Sequence, residues 1–226
     1  SPTAPASAAM TDTMSDGHIW TSGALADGTD WYFHIRAQDK AFNYGEAVTF
    51  GPFEVDTMPP SVPTNLVGAM GSADLLGKWR MNDTTPTVIW DASTDAGVGL
   101  HSTQPYQVQI GTMSTTSDLE GPSFAAGPTY TATGPFVEGT EYFVQVRAQD
   151  ALGNWSDWVY KSFFHDPTPP TDPSAIGLTN SVVVGADNWT NDSTPEFTWN
   201  DSTDTQAMHA TAPHNVKIGT QTGLSD

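Results

Sequence analysis

The chain contains no cysteine. That excludes a disulfide framework, a thiolate nucleophile and a zinc–thiolate site. It is also poor in positive charge, with seven Lys and Arg against 26 acidic residues and a net charge of −19. A field of that sign repels phosphate backbones and anionic lipid, so neither nucleic acid nor a membrane surface is an expected partner. No apolar run approaches the ~18 residues that a membrane span needs. The opening stretch SPTAPASAAM has no basic region and no apolar core, so it does not read as a signal peptide. Without an initiator Met the chain reads as a mature form, a fragment or an excerpt. No G-x-S-x-G, H-E-x-x-H or G-x-x-x-x-G-K-[ST] string occurs, and the six His fall at non-equivalent positions without metal-ligand spacing. The sequence therefore reads as non-enzymatic.

What is present is aromatic and turn-rich. Eight Trp, ten Phe and six Tyr can fill a core, and 20 Gly with 17 Pro punctuate the chain densely. The 226 residues allow one or two domains, but the chain repeats itself. GTDWYFHIRAQD from Gly28 matches GTEYFVQVRAQD from Gly139, and DTMPPSVP from Asp56 matches DPTPPTDP from Asp166. NDTTPTVIWDASTD from Asn82 matches NDSTPEFTWNDSTD from Asn191, and VQIGT from Val108 matches VKIGT from Val216. The offsets run from 111 to 108, a period of about 110 residues. Residues 1–57 correspond to the second half of a repeat, 58–168 to one complete repeat, and 169–226 to the first half of a third. Such a register is expected of a window in a longer tandem array.

Within a repeat, apolar residues alternate with polar ones. Tyr142, Val144, Val146 and Ala148 form one row, as do Trp31, Phe33, Ile35 and Ala37 in the first copy. Tyr106, Val108 and Ile110, then Val88 with Trp90 and Phe197 with Trp199, show the same period of two. Short strands between Gly, Pro, Asn and Asp clusters predict antiparallel β-sandwiches, and about 110 residues suits seven strands per repeat. The prolines after Asp56 and Asp166 fix φ and remove donors, giving stiff connectors and an extended rod of sandwiches.

On these residues the chain resembles the fibronectin type III modules of large bacterial extracellular repeat proteins. Trp90 and Trp199 resemble the buried second-strand tryptophan. Phe136-Val-Glu-Gly139-Thr-Glu-Tyr142 resembles the turn into the sixth strand, with Tyr142 as corner tyrosine, and Trp31 stands at that position in the first copy. Val146 to Asn154 resembles the end of that strand and its loop, and Ile110-Gly-Thr with Ser117-Asp118-Leu119 the third strand and its loop. The resemblance implies an all-β Greek-key sandwich and leaves function open. The stretch Gly68–Asp83 exceeds what the first two strands need and predicts an extra hairpin or loop, aligned with Asn180–Asp192.

Calcium is the one cofactor expectation. The loop after Trp90 offers oxygens at Asp91, Ser93 and Asp95, and its counterpart offers Asp201, Ser202 and Asp204. The type III topology implied by the resemblance places the linker Asp56 toward Asp91, Asp95 and Asp150, and Asp166 toward Asp201 and Asp204. The same Asp residues suit a second role as turn formers. Trp155 and Trp158 are candidate glycan contacts, or packing residues. Five N-x-[ST] sequons occur, of which Asn82 and Asn191 are equivalent glycosylation candidates.

The leading expectation is a non-catalytic segment of an extracellular or cell-surface repeat protein, acting as spacer, surface fibre or adhesin stalk. Its partners would be neighbouring repeats of the same or an identical chain, and a surface glycan or protein receptor. The alternatives are an accessory carbohydrate-binding region of a secreted hydrolase and a filament subunit joined by complementary half-repeats.

Overall fold

A computed structural model describes residues 17–68, 72–73, 79–205 and 213–218. The opening decapeptide and the 69–71 and 74–78 parts of the suspected insertion lie outside the described residues. Among the described residues every regular element is a β-strand. The chain divides into two compact units, Ser1–Met58 and Pro59–Asp226.

In the first unit β1 (Gly28–Ile35) and β2 (Val48–Val55) pair antiparallel, with Trp31 opposite Phe53 and Ile35 opposite Val48.

The second unit opens with the stretch that the sequence reads as a complete repeat. Its strands are β3 (Thr64–Gly68), β4 (Ser72–Ala73), β5 (Trp79–Met81), β6 (Thr87–Asp91), β7 (Tyr106–Gly111), β8 (Glu120–Ala125), β9 (Thr129–Thr131), β10 (Glu141–Ala148) and β11 (Val159–His165). They form a three-stranded sheet ordered β3-β6-β9 and a six-stranded sheet ordered β4-β5-β11-β10-β7-β8. The sequence leads one to expect seven strands here, and the described residues form nine. The two added strands, β4 and β5, pair antiparallel within the suspected insertion, and β5 lies parallel to β11, with Met81 opposite His165. The insertion thus widens one sheet.

The alternation read from the sequence sets the core. Val108, Ile110, Tyr142, Val144, Val146 and Phe163 of the large sheet meet Leu66, Val88 and Trp90 of the small one. Trp90 and Tyr106 meet edge to face with centroids 5.2 Å apart. Gln145, on the opposite face of β10, is also buried, because its amide donates to the Thr116 carbonyl at 2.7 Å and accepts from Gln109 at 3.0 Å. A Cβ at Gly111 would fall on the Thr116 carbonyl and the Asp118 carboxylate, so the loop after β7 closes tightly only over glycine.

The third repeat contributes β12 (Ser174–Leu178), β13 (Ser181–Val184), β14 (Asp187–Thr190) and β15 (Phe197–Asn200). β12 pairs with β15 as β3 pairs with β6, and β13–β14 is a hairpin at the position aligned with β4–β5. Both first strands carry the same register shift, after Thr64 and after Ser174, with Asn65 at φ 52° and Ala175 at φ 50°. Asn tolerates that left-handed conformation, whereas Ala is disfavoured there by about 1 kcal/mol or more. Ala175→Asn is therefore expected to stabilise the β12–β15 pair by about 0.5–1 kcal/mol. Slower amide hydrogen exchange at Thr198 and Asn200 checks it; unchanged or faster exchange contradicts the strain.

Candidate functional site

The predicted site residues belong to loops and linkers at strand ends. At the end of β10 the Asp150 carboxylate is fully buried. One oxygen accepts from the amides of Leu152 and Asn154 at 2.9 and 2.8 Å, and the other from the Asn154 side chain at 2.7 Å. The first copy repeats the arrangement. Asp39 accepts from the amides of Ala41 and Asn43, both at 2.8 Å, and from the Asn43 side chain at 2.9 Å. These donors, the Asn43 side chain foremost, hold the Asp39 carboxyl below the usual carboxylate range.

Asp95 closes the loop after β6 by accepting from the Gly97 and Gly99 amides at 3.1 and 2.8 Å. Asp91 is exposed and accepts from the Asn65 side chain at 2.5 Å. Asp83 and Asp192, which start equivalent turns, accept from the Thr85 and Thr194 amides, each at 2.8 Å. Asp118 accepts from the Thr116 and Thr112 hydroxyls and from the Thr112 amide at 2.5, 2.8 and 2.9 Å. Those bonds, the Thr116 hydroxyl first, hold its carboxyl down at about 2. Asp56, at the end of the first unit, accepts from the Met58 amide at 3.1 Å.

The second linker gathers charge. Asp166 is largely buried, and Oδ1 has no hydrogen-bond partner among the described residues. Burial pushes its carboxyl up, and the Asp204 and Glu138 carboxylates push the same way. Arg80 opposes them from 3.8 Å. Asp201 is exposed, and of the two predicted loop acids it is the Asp204 charge that acts on the Asp166 carboxyl. Glu138 accepts from the Thr168 hydroxyl of the linker at 2.8 Å and the Thr205 hydroxyl of the loop at 3.3 Å. In the first copy the equivalent Asp27 accepts from the amide and hydroxyl of Thr57 at 2.8 and 2.9 Å. The sequence reading did not single out Asp27 or Glu138. Their signal was an acid immediately before each Gly-Thr turn, at the same place in both repeats.

Trp155 and Trp158 flank one cation. The Arg147 guanidinium lies 4.2 Å from the Trp155 ring centre and 4.5 Å from that of Trp158, and it donates to Gln107 at 2.9 and 2.7 Å. Each indole thus spends one face on a cation–π contact. Arg36 lies 3.7 Å over Tyr44 at the equivalent place in the first unit. Asn82 and Asn191 are both exposed.

The corner residues of the two copies make the same tie by different bonds. The Tyr142 hydroxyl accepts from the Val137 amide at 2.8 Å. In the first copy the Trp31 indole donates to the Ala26 carbonyl at 3.1 Å. Ala26 and Val137 are equivalent, so the tie survives the exchange with its direction reversed. Sequence reasoning also missed Glu120. Its buried carboxylate accepts from the Tyr130 hydroxyl at 2.8 Å, from the Gly134 amide at 2.8 Å, and from the Thr133 amide and hydroxyl. Those partners lie on another strand and its exit, which no local spacing reveals.

No family model and no curated protein matches the chain. Among solved structures, a Fn3-like protein from Clostridium thermocellum is similar at 18 % identity and TM-score 0.32, covering 50 % of this chain and 99 % of that one. An alpha-L-rhamnosidase from Dictyoglumus thermophilum is similar at 14 % identity and TM-score 0.36, over 53 % of this chain and 15 % of the enzyme. A beta-1,2-glucanase from Parabacteroides distasonis is similar at 14 % identity and TM-score 0.31, over 57 % of this chain and 16 % of the enzyme. The class defined by the fold is an all-β protein whose complete repeat is a two-sheet sandwich.

Two outcomes test the carboxylate clamps. Asp150→Ala takes the carboxylate acceptor from the Leu152 and Asn154 amides and the Asn154 side chain and is expected to cost about 1–3 kcal/mol in denaturant unfolding. A loss below about 0.5 kcal/mol contradicts that role. The Asp118 clamp has a depressed carboxyl, so its stabilisation is complete above the unfolded value of 3.8 and is lost as pH falls toward about 2. The Asp118 carboxyl carbon should titrate by NMR with a midpoint near 2, and a midpoint near 3.8 removes the clamp.

Proposed function

We propose that the chain is a non-catalytic structural segment of an extracellular repeat protein, built from fibronectin type III-like modules that act as spacers or stalk. The observation that carries this reading is what the repeated acidic positions do. Asp39 and Asp150, Asp83 and Asp192, and Asp27 and Glu138 recur in the sequence and make the same kinds of bond in each copy. These bonds close turns or tie a linker to its module. Repetition of framework bonds is what a mechanical array requires of its sequence.

In this reading calcium strengthens the second linker. Among the described residues Asp166 carries a buried oxygen with no hydrogen-bond partner, and Asp204 and Glu138 raise the local negative charge. A hard cation taking these carboxylates, with water completing its shell, relieves that repulsion. Calcium after EDTA treatment is expected to raise the melting temperature by several degrees, and Asp166→Asn is expected to remove most of the gain. An unchanged melting temperature removes calcium from the function. Tight glycan binding that depends on Trp155 and Trp158 would instead favour an accessory carbohydrate-binding region.

A further inference from the structure

The second linker carries bonds in both directions along the chain. Backward, the Asp166 amide donates to the Met81 carbonyl at 2.8 Å, the Gly139 amide donates to the His165 carbonyl at 2.9 Å, and the Thr168 hydroxyl donates to Glu138 at 2.8 Å. Forward, the Thr171 amide donates to the Thr203 carbonyl and the Thr203 amide donates to the Thr171 hydroxyl, both at 2.8 Å. Pro169 and Pro170 separate the two anchored threonines. Each ring fixes its own φ, and a following proline also holds Thr168 and Pro169 extended. Residues 168–171 thus keep few torsions that could turn one repeat against the next.

A further bond closes a ring around this connector. The other oxygen of Glu138 accepts from the Thr205 hydroxyl at 3.3 Å, past the linker and directly into the loop after β15. The path runs from Glu138 through Thr168, the two prolines, Thr171 and Thr203 to Thr205, and back to Glu138. An exposed hydrogen bond is weak in isolation, because water competes for both partners. Across a stiff, short connector the same bond is intramolecular at high effective concentration, and it removes the swing that remains. The residue types suit this task. At the corresponding places of the first copy stand Asp27, one methylene shorter, and Ala96, which has no hydroxyl. Asp27 accepts from the amide and hydroxyl of Thr57, its own linker. Glu138 combines that linker tie with the reach to a donor in the next repeat.

We propose that Glu138 is a junction clamp, which takes the linker with one carboxylate oxygen and the following repeat with the other, and so sets the angle between the complete repeat and the third. Its purpose rests on the spacer reading, since a stalk needs its modules held at a fixed direction; its geometry does not. Glu138 and Thr205 together decide that angle, and a junction with Asp and Ala at those places has no side chains to make the cross tie.

With no native cysteine, spin labels attach only where a cysteine is introduced. Tyr160→Cys on β11 and Thr198→Cys on β15 are both exposed positions on strands. Double electron–electron resonance between them, in EDTA so that no cation holds Glu138, is expected to give one narrow distance distribution. Glu138→Ala is expected to broaden it about twofold or more, as a released connector would. Thr205→Val, which keeps the Thr168 tie, is expected to broaden it as well. Glu138→Gln keeps an oxygen for one hydroxyl and an N–H for the other, and should stay close to the unmodified width. A broad distribution with Glu138 in place, or a width that Glu138→Ala and Thr205→Val leave unchanged, overturns the clamp. Either result leaves the spacer reading standing on its repeated turn bonds, whereas tight glycan binding dependent on Trp155 and Trp158 removes that reading and not the clamp.

Discussion

Strand β10 turns Tyr142, Val144, Val146 and Ala148 to one side, and the rest of the complete repeat is arranged to keep water off that row. β7 and β11 extend it sideways, adding Val108, Ile110 and Phe163 to the same apolar sheet face. The small sheet answers with Leu66, Val88 and Trp90. Neither face has another way to leave water, so each sheet is a condition of the other. The corner bond between Tyr142 and Val137, the Asp150 clamp and the Glu120 network all lie at strand ends around this contact. They fix how the chain enters and leaves it.

Acidity serves the same end. A carboxylate accepts several bonds at once, and a turn that leaves the sheet presents several amides with no strand partner. Asp at the start of a loop meets that demand within two to four residues, as Asp39, Asp95 and Asp150 do. Much of the excess of Asp over Glu is thereby a consequence of loop chemistry. The shorter side chain reaches its own turn, while the longer Glu120 and Glu138 reach residues distant in sequence. Charge at these positions is matched by N–H and O–H donors, which is how a chain so short of Lys and Arg tolerates a buried Asp150.

What the sequence reveals and what it hides divide along the same line. Period-two alternation at Tyr142–Ala148 and Tyr106–Ile110 marks strands and their inward faces, because that signal is local. The extra length at Gly68–Asp83 marks an insertion, but its parallel pairing with β11 depends on a strand some eighty residues later. The Asp roles as turn formers are legible from their loop-start positions. The Arg147 stack is not, because Gln107 of β7 and Trp155 and Trp158 of the loop after β10 converge on it. Trp31 is the instructive exception. An indole replaces a hydroxyl, the donor becomes the protein's side chain instead of its backbone, and the same residue pair stays tied.

The half-repeats separate two kinds of determinant that the complete repeat superposes. Local devices form in either setting. The Asp39 clamp matches the Asp150 clamp, the Trp199–His214 contact matches Trp90–Tyr106, and the register shift at Ala175 matches that at Asn65. Burial does not follow them, since Ile176 and Ile218 stay exposed where Leu66 and Ile110 do not. Turn chemistry therefore specifies where each strand starts and which way it faces, and the union of both halves supplies the free energy of hiding it.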